Sequence, residues 1–268
     1  MKLFPLALAA TLASAGLHAQ MRDNTTPELR CNNSENDDSR ARYCEMREQT
    51  TAYGGQLNID TGANGGVAVK GWSRPDMLVR MKIDTQAAND ADARALASQV
   101  RVNIGAGRVA AEGPQRGDGQ NWSVSYEIFL PHNANLQIST HNGGVHIADV
   151  RGDIAFTTTN GGVHLARLGG NVHGQTSNGG VHIELAGSRW DGAGLDVTTT
   201  NGGVHIAAPA NYGAHFEAET SNGRISVDFP MNVQGKIGHQ LAAHVGGGGP
   251  RLHVATTNGG VHMERVSE

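Results

Sequence analysis

The sequence predicts an all-β protein built as a parallel β-solenoid, with about 18–23 residues per coil and one short helix in an N-terminal capping region. The main observation is a repeat. Asn-Gly-Gly-Val-His occurs five times, and two variant copies read Asn-Gly-Gly-Val-Ala and Asn-Gly-Arg-Ile-Ser. The copies begin at Asn64, Asn142, Asn160, Asn178, Asn201, Asn222 and Asn258. A period of this length is typical of stacked coils that each contribute one supersecondary unit.

Each repeat contains two short runs in which apolar and polar residues alternate. Around Asn142, the apolar positions are Leu136 and Ile138 before the corner and Val145 and Ile147 after it. Alternation with a period of two places the apolar side chains on one side of a β-strand. We therefore expect two half-buried strands per repeat, joined at a sharp corner.

The Asn-Gly-Gly corner bears on whether the strands run parallel. Asn and Gly tolerate positive φ better than other residues, so the chain can turn sharply there. Asn-Gly is also the strongest local signal for an antiparallel hairpin. Hairpins do not require the same residues at every turn, whereas here a Thr, the Asn, the glycines and an aliphatic residue recur together. Stacking of equivalent positions on parallel coils about 4.8 Å apart selects such recurrence, which favours the solenoid; the number of faces and the handedness stay open.

Composition agrees with a thin solenoid and excludes two classes of partner. The chain has 37 glycines and only 4% aromatic residues, so stacked aliphatic side chains have to supply most of the buried surface. The formal net charge is −4, without basic clusters. This charge gives no electrostatic footprint for nucleic acid or for an anionic membrane.

The N-terminal residues predict export. Residues 1–19 are interpreted as a signal peptide, in which Lys2 precedes a mostly apolar run that ends at His18-Ala19. Leu17 is larger than the residue usually found three positions before a cleavage site. No second apolar run of about 18 residues follows, which predicts no membrane span in the mature chain. We expect the protein to be periplasmic, or to lie at the cell surface or outside the cell.

Three further segments are predicted. Residues 20–50 form a polar segment held by a disulfide between Cys31 and Cys44, because an isolated pair of cysteines in an oxidising compartment most often forms one bond. Residues 51–130 form an N-terminal β region that caps the solenoid and contains a helix over residues 87–100. Residues 131–268 hold the solenoid repeats.

The stretch from Ser123 to Pro131, followed by the repeat from Leu136 to Val145, resembles the bacterial putative-adhesin family. Cys44 to Glu48, Asn64 to Val67 and Lys70 to Trp72 are similar to members of one subgroup. The resemblance spans about residues 44–268. It implies an exported β-solenoid domain of unknown function, and it carries no catalytic residues over to this chain.

The repeated histidine suggests a function in addition to a role in the fold. His146, His164, His182 and His205 hold the same outward position in successive copies. Stacked in register, their imidazoles would form a column able to chelate Zn or Cu, or to titrate together near neutral pH. Ser226 interrupts the series, so His262 is expected off the column unless the intervening 36 residues loop out. The competing interpretation is that duplication simply preserved a solvent-facing histidine, which the lack of a carboxylate or Cys at ligand spacing favours.

These observations predict a non-enzymatic, adhesin-like binding or scaffold module of the cell envelope. Its flat polar face of Thr, Ser, His and Gln would contact a glycan or an envelope protein. The alternatives are a periplasmic metal-binding protein, through the His column, and an enzyme acting on polysaccharides. Such an enzyme needs paired carboxylates or a basic residue on one outer face. Asp196, Glu217 and Glu219 are candidates, but they do not cluster with an Arg or Lys at equivalent positions of the repeat. No cofactor is predicted apart from Zn or Cu on the column.

Overall fold

The structure is a computed structural model that describes residues 29–31, 40–115, 117, 119–230 and 238–266. The predicted signal peptide and much of the predicted polar segment lie outside these ranges. The N-terminal elements are β1 (Ala41–Ala52), β2 (Gln56–Asp60), β3 (Val67–Trp72), β4 (Asp76–Ala87), α1 (Asp90–Gln99), β5 (Arg101–Gly105), β6 (Arg108–Glu112) and β7 (Asn121–Pro131). The later strands are β8 (Asn135–Asn142), β9 (Val145–Ala148), β10 (Arg151–Asn160), β11 (Val163–Ala166), β12 (Gly169–Asn178), β13 (Val181–Glu184), β14 (Gly194–Asn201), β15 (Val204–Pro209), β16 (Ala214–Asn222), β17 (Ile225–Val227), β18 (Gln240–Val245), β19 (Arg251–Asn258) and β20 (Val261–Val266).

The strands form two sheets, because each coil places its first strand in one sheet and its second strand in the other. Sheet A has the order β1-β4-β7-β3-β9-β11-β13-β15-β20-β17. Sheet B has the order β18-β16-β19-β14-β12-β10-β8-β2-β6-β5. The repeat strands pair in parallel, for example β10 with β12 and β11 with β13. The predicted all-β class with stacked parallel strands is confirmed, and the coils have two sheet-forming sides.

The inward residues of both sheets meet in one core. Ile154 on β10 and Val163 on β11 are at most 2% exposed and belong to the same apolar cluster. Burying an aliphatic side chain of this size contributes about 1.5–3 kcal/mol. Gly174 breaks the aliphatic pattern because the Phe156 ring of the neighbouring coil fills its place; a Cβ on Gly174 would lie 2.0 Å from that ring.

Asn side chains hold the corners together in a continuous amide ladder. The Nδ2 of Asn160 donates to Oδ1 of Asn142 at 2.7 Å, and Asn178 donates to Asn160 at 2.8 Å. The same bond links every neighbouring pair of corner Asn residues from Asn64 to Asn222. An amide both donates and accepts, so one residue type satisfies its neighbours on either side, which explains its recurrence.

The first glycine of most corners is required for a different reason from the predicted one; Gly65, with a φ of 141°, is the exception. Gly161 is not among the residues with positive φ. Instead, a Cβ on Gly161 would lie 2.0 Å from the carbonyl oxygen of Gly143 in the adjacent coil. The first glycine of the corner is therefore fixed by the close approach of two backbones.

The last two coils stack in the reverse of their chain order. The β19–β20 coil lies between the β14–β15 coil and the β16–β17 coil. Strand β18 pairs antiparallel with β16 at the end of sheet B. Of the two outcomes that the sequence left open for His262, the structure shows the second: the copy with Ser226 lies at the end of the stack, and His262 pairs with His205 on the column.

The N-terminal region contains a coil of its own, which the predicted boundary at residue 131 does not anticipate. Strands β2 and β3 pair in parallel with β8 and β9, and Asn64 bridges to Asn142. Strands β6 and β7 add a further parallel coil beyond β2 and β3. Strands β4 and β5 pair antiparallel with β7 and β6 on its outer side. Helix α1 begins after Asn89, whose side chain accepts from the backbone N–H of Asp92 at 2.9 Å. The predicted Cys31–Cys44 disulfide is present and joins residue 31 to β1.

Candidate functional site

Five histidines form a column on the outer face of sheet A. The inward aliphatic residues on either side of each histidine fix its outward direction, because side chains alternate along a strand. Strands β9, β11, β13, β15 and β20 bring the rings together, and neighbouring ring centroids lie 5.8, 4.9, 4.8 and 5.4 Å apart along the stack. In stacking order the column is His146, His164, His182, His205 and His262. The four predicted histidines are thus adjacent, and His262 joins them.

Two glutamates accompany the column, which corrects the expectation that no carboxylate lies at ligand spacing. Oε1 of Glu184 lies 3.0 Å from Nε2 of His164 and 3.6 Å from Nε2 of His182. Glu264 lies between His205 and His262, at 3.3 and 3.8 Å from their Nε2 atoms. The available signal was the spacing His-x-Glu, since residues two apart on a strand share a face.

These side chains form two groups of three potential metal ligands. In the first group, one donor atom each from His164, His182 and Glu184 lies within 4.8 Å of the other two. His205, His262 and Glu264 form the second group by the same measure. Both groups border a groove of about 670 Å³, whose lining includes three of the histidines and the glycines at 162, 180, 203 and 260.

His146, at the end of the column, belongs to neither group. Its ring is more deeply buried than that of His182, and its Nδ1 atom is buried without a hydrogen-bond partner. Burial, and secondarily the neighbouring His164, lower the pKa of His146. Burial and the adjacent His164 and His205 also lower the pKa of His182. Both rings are therefore held toward the neutral form.

The outer face of sheet B is polar and built from short side chains. One row contains Thr157, Gln175 and Thr198, aligned across β10, β12 and β14. A neighbouring row of hydroxyl side chains contains Thr159, Ser177, Thr200, Thr257 and Ser221. These rows border a shallow groove of about 530 Å³.

A charged network lies at the other edge of this polar face. Arg251 contacts Asp196 at 3.6 Å and pairs with Glu217 through Nε at 2.7 Å. His253 bonds Asp196 at 2.9 Å, and His215 bonds Glu217 at 3.0 Å. The residue that pairs in register with Asp196 and with Glu217 is His253, and Arg251 reaches both carboxylates from two residues earlier on β19. The sequence did not predict this contact, because it depends on the stacking order of the last two coils. The hydrogen bond from Arg251 is the main cause that lowers the pKa of Glu217, so this carboxylate stays ionised and is unsuited to the role of a general acid.

In the part of the chain that the structure describes, no helix is long and apolar enough to cross a membrane. The molecule is thus an all-β protein of two facing parallel sheets with polar outer faces. The chain belongs to the Toastrack DUF4097 family, whose model matches residues 21–264. This match confirms the predicted family.

Solved structures with a similar chain course have low sequence identity. A putative cell adhesion protein from Clostridium sporogenes is 12% identical, with a TM-score of 0.48 over 84% of this chain and 100% of that chain. A putative adhesin from Bacteroides fragilis is 10% identical, with a TM-score of 0.38 over 83% and 97%. A putative lipid binding protein from Parabacteroides distasonis is 11% identical, with a TM-score of 0.29 over 82% and 96%. A search of curated proteins gave no match.

Proposed function

We propose that this protein is an exported, non-enzymatic module of the bacterial cell envelope that binds a glycan through the outer face of sheet B. The observation that carries the proposal is the alignment of Thr157, Gln175 and Thr198 across three strands. Hydroxyl and amide groups both donate and accept hydrogen bonds, as sugar hydroxyls do. Repeating them at the strand spacing of about 4.8 Å suits an extended polymer with repeating hydroxyls.

Surface chemistry supports a polar ligand over an apolar one. Among the described residues, Met46 is the only large hydrophobic side chain that is exposed, at 40%. A docking site for a folded protein partner usually has an apolar or aromatic centre. The face of sheet B offers threonine, serine and glutamine instead, which favours a glycan over an envelope protein.

Export is supported by the signal-like residues 1–19 and by the disulfide between Cys31 and Cys44, since such bonds persist in oxidising compartments. Expression of the full chain in a bacterial host, followed by intact-mass analysis of the periplasmic fraction, tests this part. We expect a mature chain that begins at Gln20 and is lighter than its reduced form by the mass of two hydrogen atoms. An uncleaved chain confined to the cytoplasm would contradict export.

Binding is tested on a glycan array and by sedimentation with purified cell-wall polysaccharide. The variant Thr157→Val with Thr198→Val removes two outward hydroxyls and keeps the β-branched shape. Each hydrogen bond to a ligand is worth about 1 kcal/mol, so affinity should fall roughly tenfold or more. Thr50→Val, on an exposed position of β1, is the matched control and should leave binding unchanged. Absence of any glycan binding, or equal loss in the control, would reject the proposal; cross-linking to an envelope protein would favour the alternative partner.

A further inference from the structure

We propose that the outer face of sheet A carries two divalent-metal sites, each suited to Zn²⁺. One site consists of His164, His182 and Glu184, and the other of His205, His262 and Glu264. Both triplets offer two imidazole nitrogens and one carboxylate oxygen. Zn²⁺ binds this ligand set with a fourth position left for water or another ligand.

The geometry is close to that of a bound ion. Tetrahedral ligands at zinc distances of 2.0–2.2 Å lie roughly 3.4 Å from one another. In the first triplet, Oε1 of Glu184 lies 3.0 and 3.6 Å from the Nε2 atoms of its two histidines. In the second triplet, Oε1 of Glu264 lies 3.3 Å from Nε2 of His205, and its Oε2 lies 3.8 Å from Nε2 of His262. One donor atom from each residue of a triplet lies within 4.8 Å of the other two. The side chains are 23–40% exposed, so small rotations can close the remaining distance without disturbing the core.

The distribution of glutamate argues against the interpretation that the column histidines are only a by-product of repeat duplication. The position two residues after each histidine forms a row across sheet A, which in stacking order reads Ala148, Ala166, Glu184, Ala207 and Glu264. Each glutamate follows the histidine of its own coil and reaches back to the histidine of the preceding coil. The same triplet therefore arises twice, with one carboxylate for each pair of rings.

The second triplet is expected to bind more tightly than the first. The hydroxyl oxygen of Ser226 lies 3.0 Å from Nδ1 of His262. If this oxygen accepts a hydrogen bond from Nδ1–H, the lone pair of the neutral ring is on Nε2, which faces Glu264, and such outer partners orient metal-binding histidines. In the first triplet, Arg167 lies 3.6 Å from the second carboxylate oxygen of Glu184. A guanidinium at this distance competes with a cation for the carboxylate.

The two sites are also coupled through their central rings. Nδ1 of His182 and Nδ1 of His205 lie 3.0 Å apart, a hydrogen bond that requires one proton shared between two nitrogens. A metal on Nε2 of neutral His205 leaves the proton on its Nδ1, which donates to His182. Neutral His182 then carries its own proton on Nε2, facing Glu184. For the second ion to bind Nε2 of His182, that proton has to move to Nδ1 of the same ring. Nδ1 can then no longer accept from His205, the ring-to-ring bond is lost, and the second ion binds more weakly.

The test uses the full mature chain without a polyhistidine tag, stripped with chelator and titrated with ZnCl₂ by calorimetry. We expect two saturable steps whose affinities differ by about tenfold or more. Glu264→Gln keeps the side-chain shape and should weaken the tighter step by at least about tenfold, because it removes the charged ligand. Glu184→Gln should weaken the other step instead. Circular dichroism of both variants should match that of the unchanged protein.

His146→Asn is the matched control, because His146 belongs to the column but to neither triplet. It should leave both steps unchanged. Equal weakening by His146→Asn and Glu264→Gln would show unspecific chelation along the column and would overturn the proposal. So would the absence of saturable binding, or binding that neither glutamate variant affects. The titration involves no glycan, so its failure leaves the binding role of sheet B untouched, and the reverse also holds.

Discussion

The two outer faces of the solenoid come from the same repeat and present different chemistry. Sheet A displays imidazoles and alternate carboxylates, whereas sheet B displays hydroxyls and amides around Thr157, Gln175 and Thr198. Inward residues of both sheets are nearly interchangeable aliphatics of one core. Because the coils stack in register, a residue at an outward position of the repeat is repeated as a row across the sheet. Different outward residues therefore give the two faces different chemistry, while the core stays the same.

The largest effect on stability is expected at the corner between the two sheets, where the backbones of adjacent coils touch at Gly161 and Gly143. Gly161→Ala would place a Cβ 2.0 Å from the carbonyl oxygen of Gly143, which forces two coils apart. We expect a loss of unfolding free energy of about 3 kcal/mol or more, measured by denaturant unfolding. Gly162→Ala is the control, since its nearest atom would lie at an ordinary 3.6 Å. Similar stability for both variants would show that close backbone approach does not select the glycine.

An intermediate effect on stability is expected on β10, where a substitution on the inner side should cost more than one on the outer side. Thr158 is 1% exposed, and its hydroxyl donates to the carbonyl of Gly143 at 3.1 Å. Thr158→Val keeps the shape but leaves that carbonyl without this donor, which should cost about 1–2 kcal/mol. Thr157→Val, one residue away and exposed, should change stability by less than about 0.5 kcal/mol. Thermal and denaturant unfolding of the two variants would decide, and equal losses would contradict the assignment of faces.

The smallest effect concerns the pH dependence of folding stability, to which His146 of sheet A contributes. His146 has its pKa lowered by burial in the folded state, so the unfolded chain binds a proton more readily near its ordinary pKa of about 6.5. The protein should therefore lose stability as pH falls from 7.5 to 5.5. With chelator present, His146→Asn should reduce this drop in Tm. A larger fall in Tm between pH 7.5 and 5.5 for the His146→Asn variant than for the unchanged protein would contradict a lowered pKa for His146.

The alternation of residues predicted the strands, the faces and the column, because in-register stacking leaves a strict period in the sequence. The order of the last coils could not be predicted. The copies at Asn222 and Asn258 share the alternation of apolar and polar residues, although their corner residues differ. Tertiary contacts decide which copy pairs with β14. That order determines whether His262 reaches His205 and whether Arg251 reaches Asp196 and Glu217. The role of Glu184 and Glu264 was accessible, since comparing the sixth residue after each Asn shows them directly.

The reversed order of the final coils has a consequence for biosynthesis. The segment at 251–266 leaves the ribosome after the segment at 214–227, yet it supplies the parallel neighbour on which β16 and β17 rest. Growth of the stack therefore cannot follow synthesis residue by residue beyond the Asn201 coil. The earlier segment has to wait for the later one, so this end of the stack is completed only after the chain has been synthesised to about residue 266.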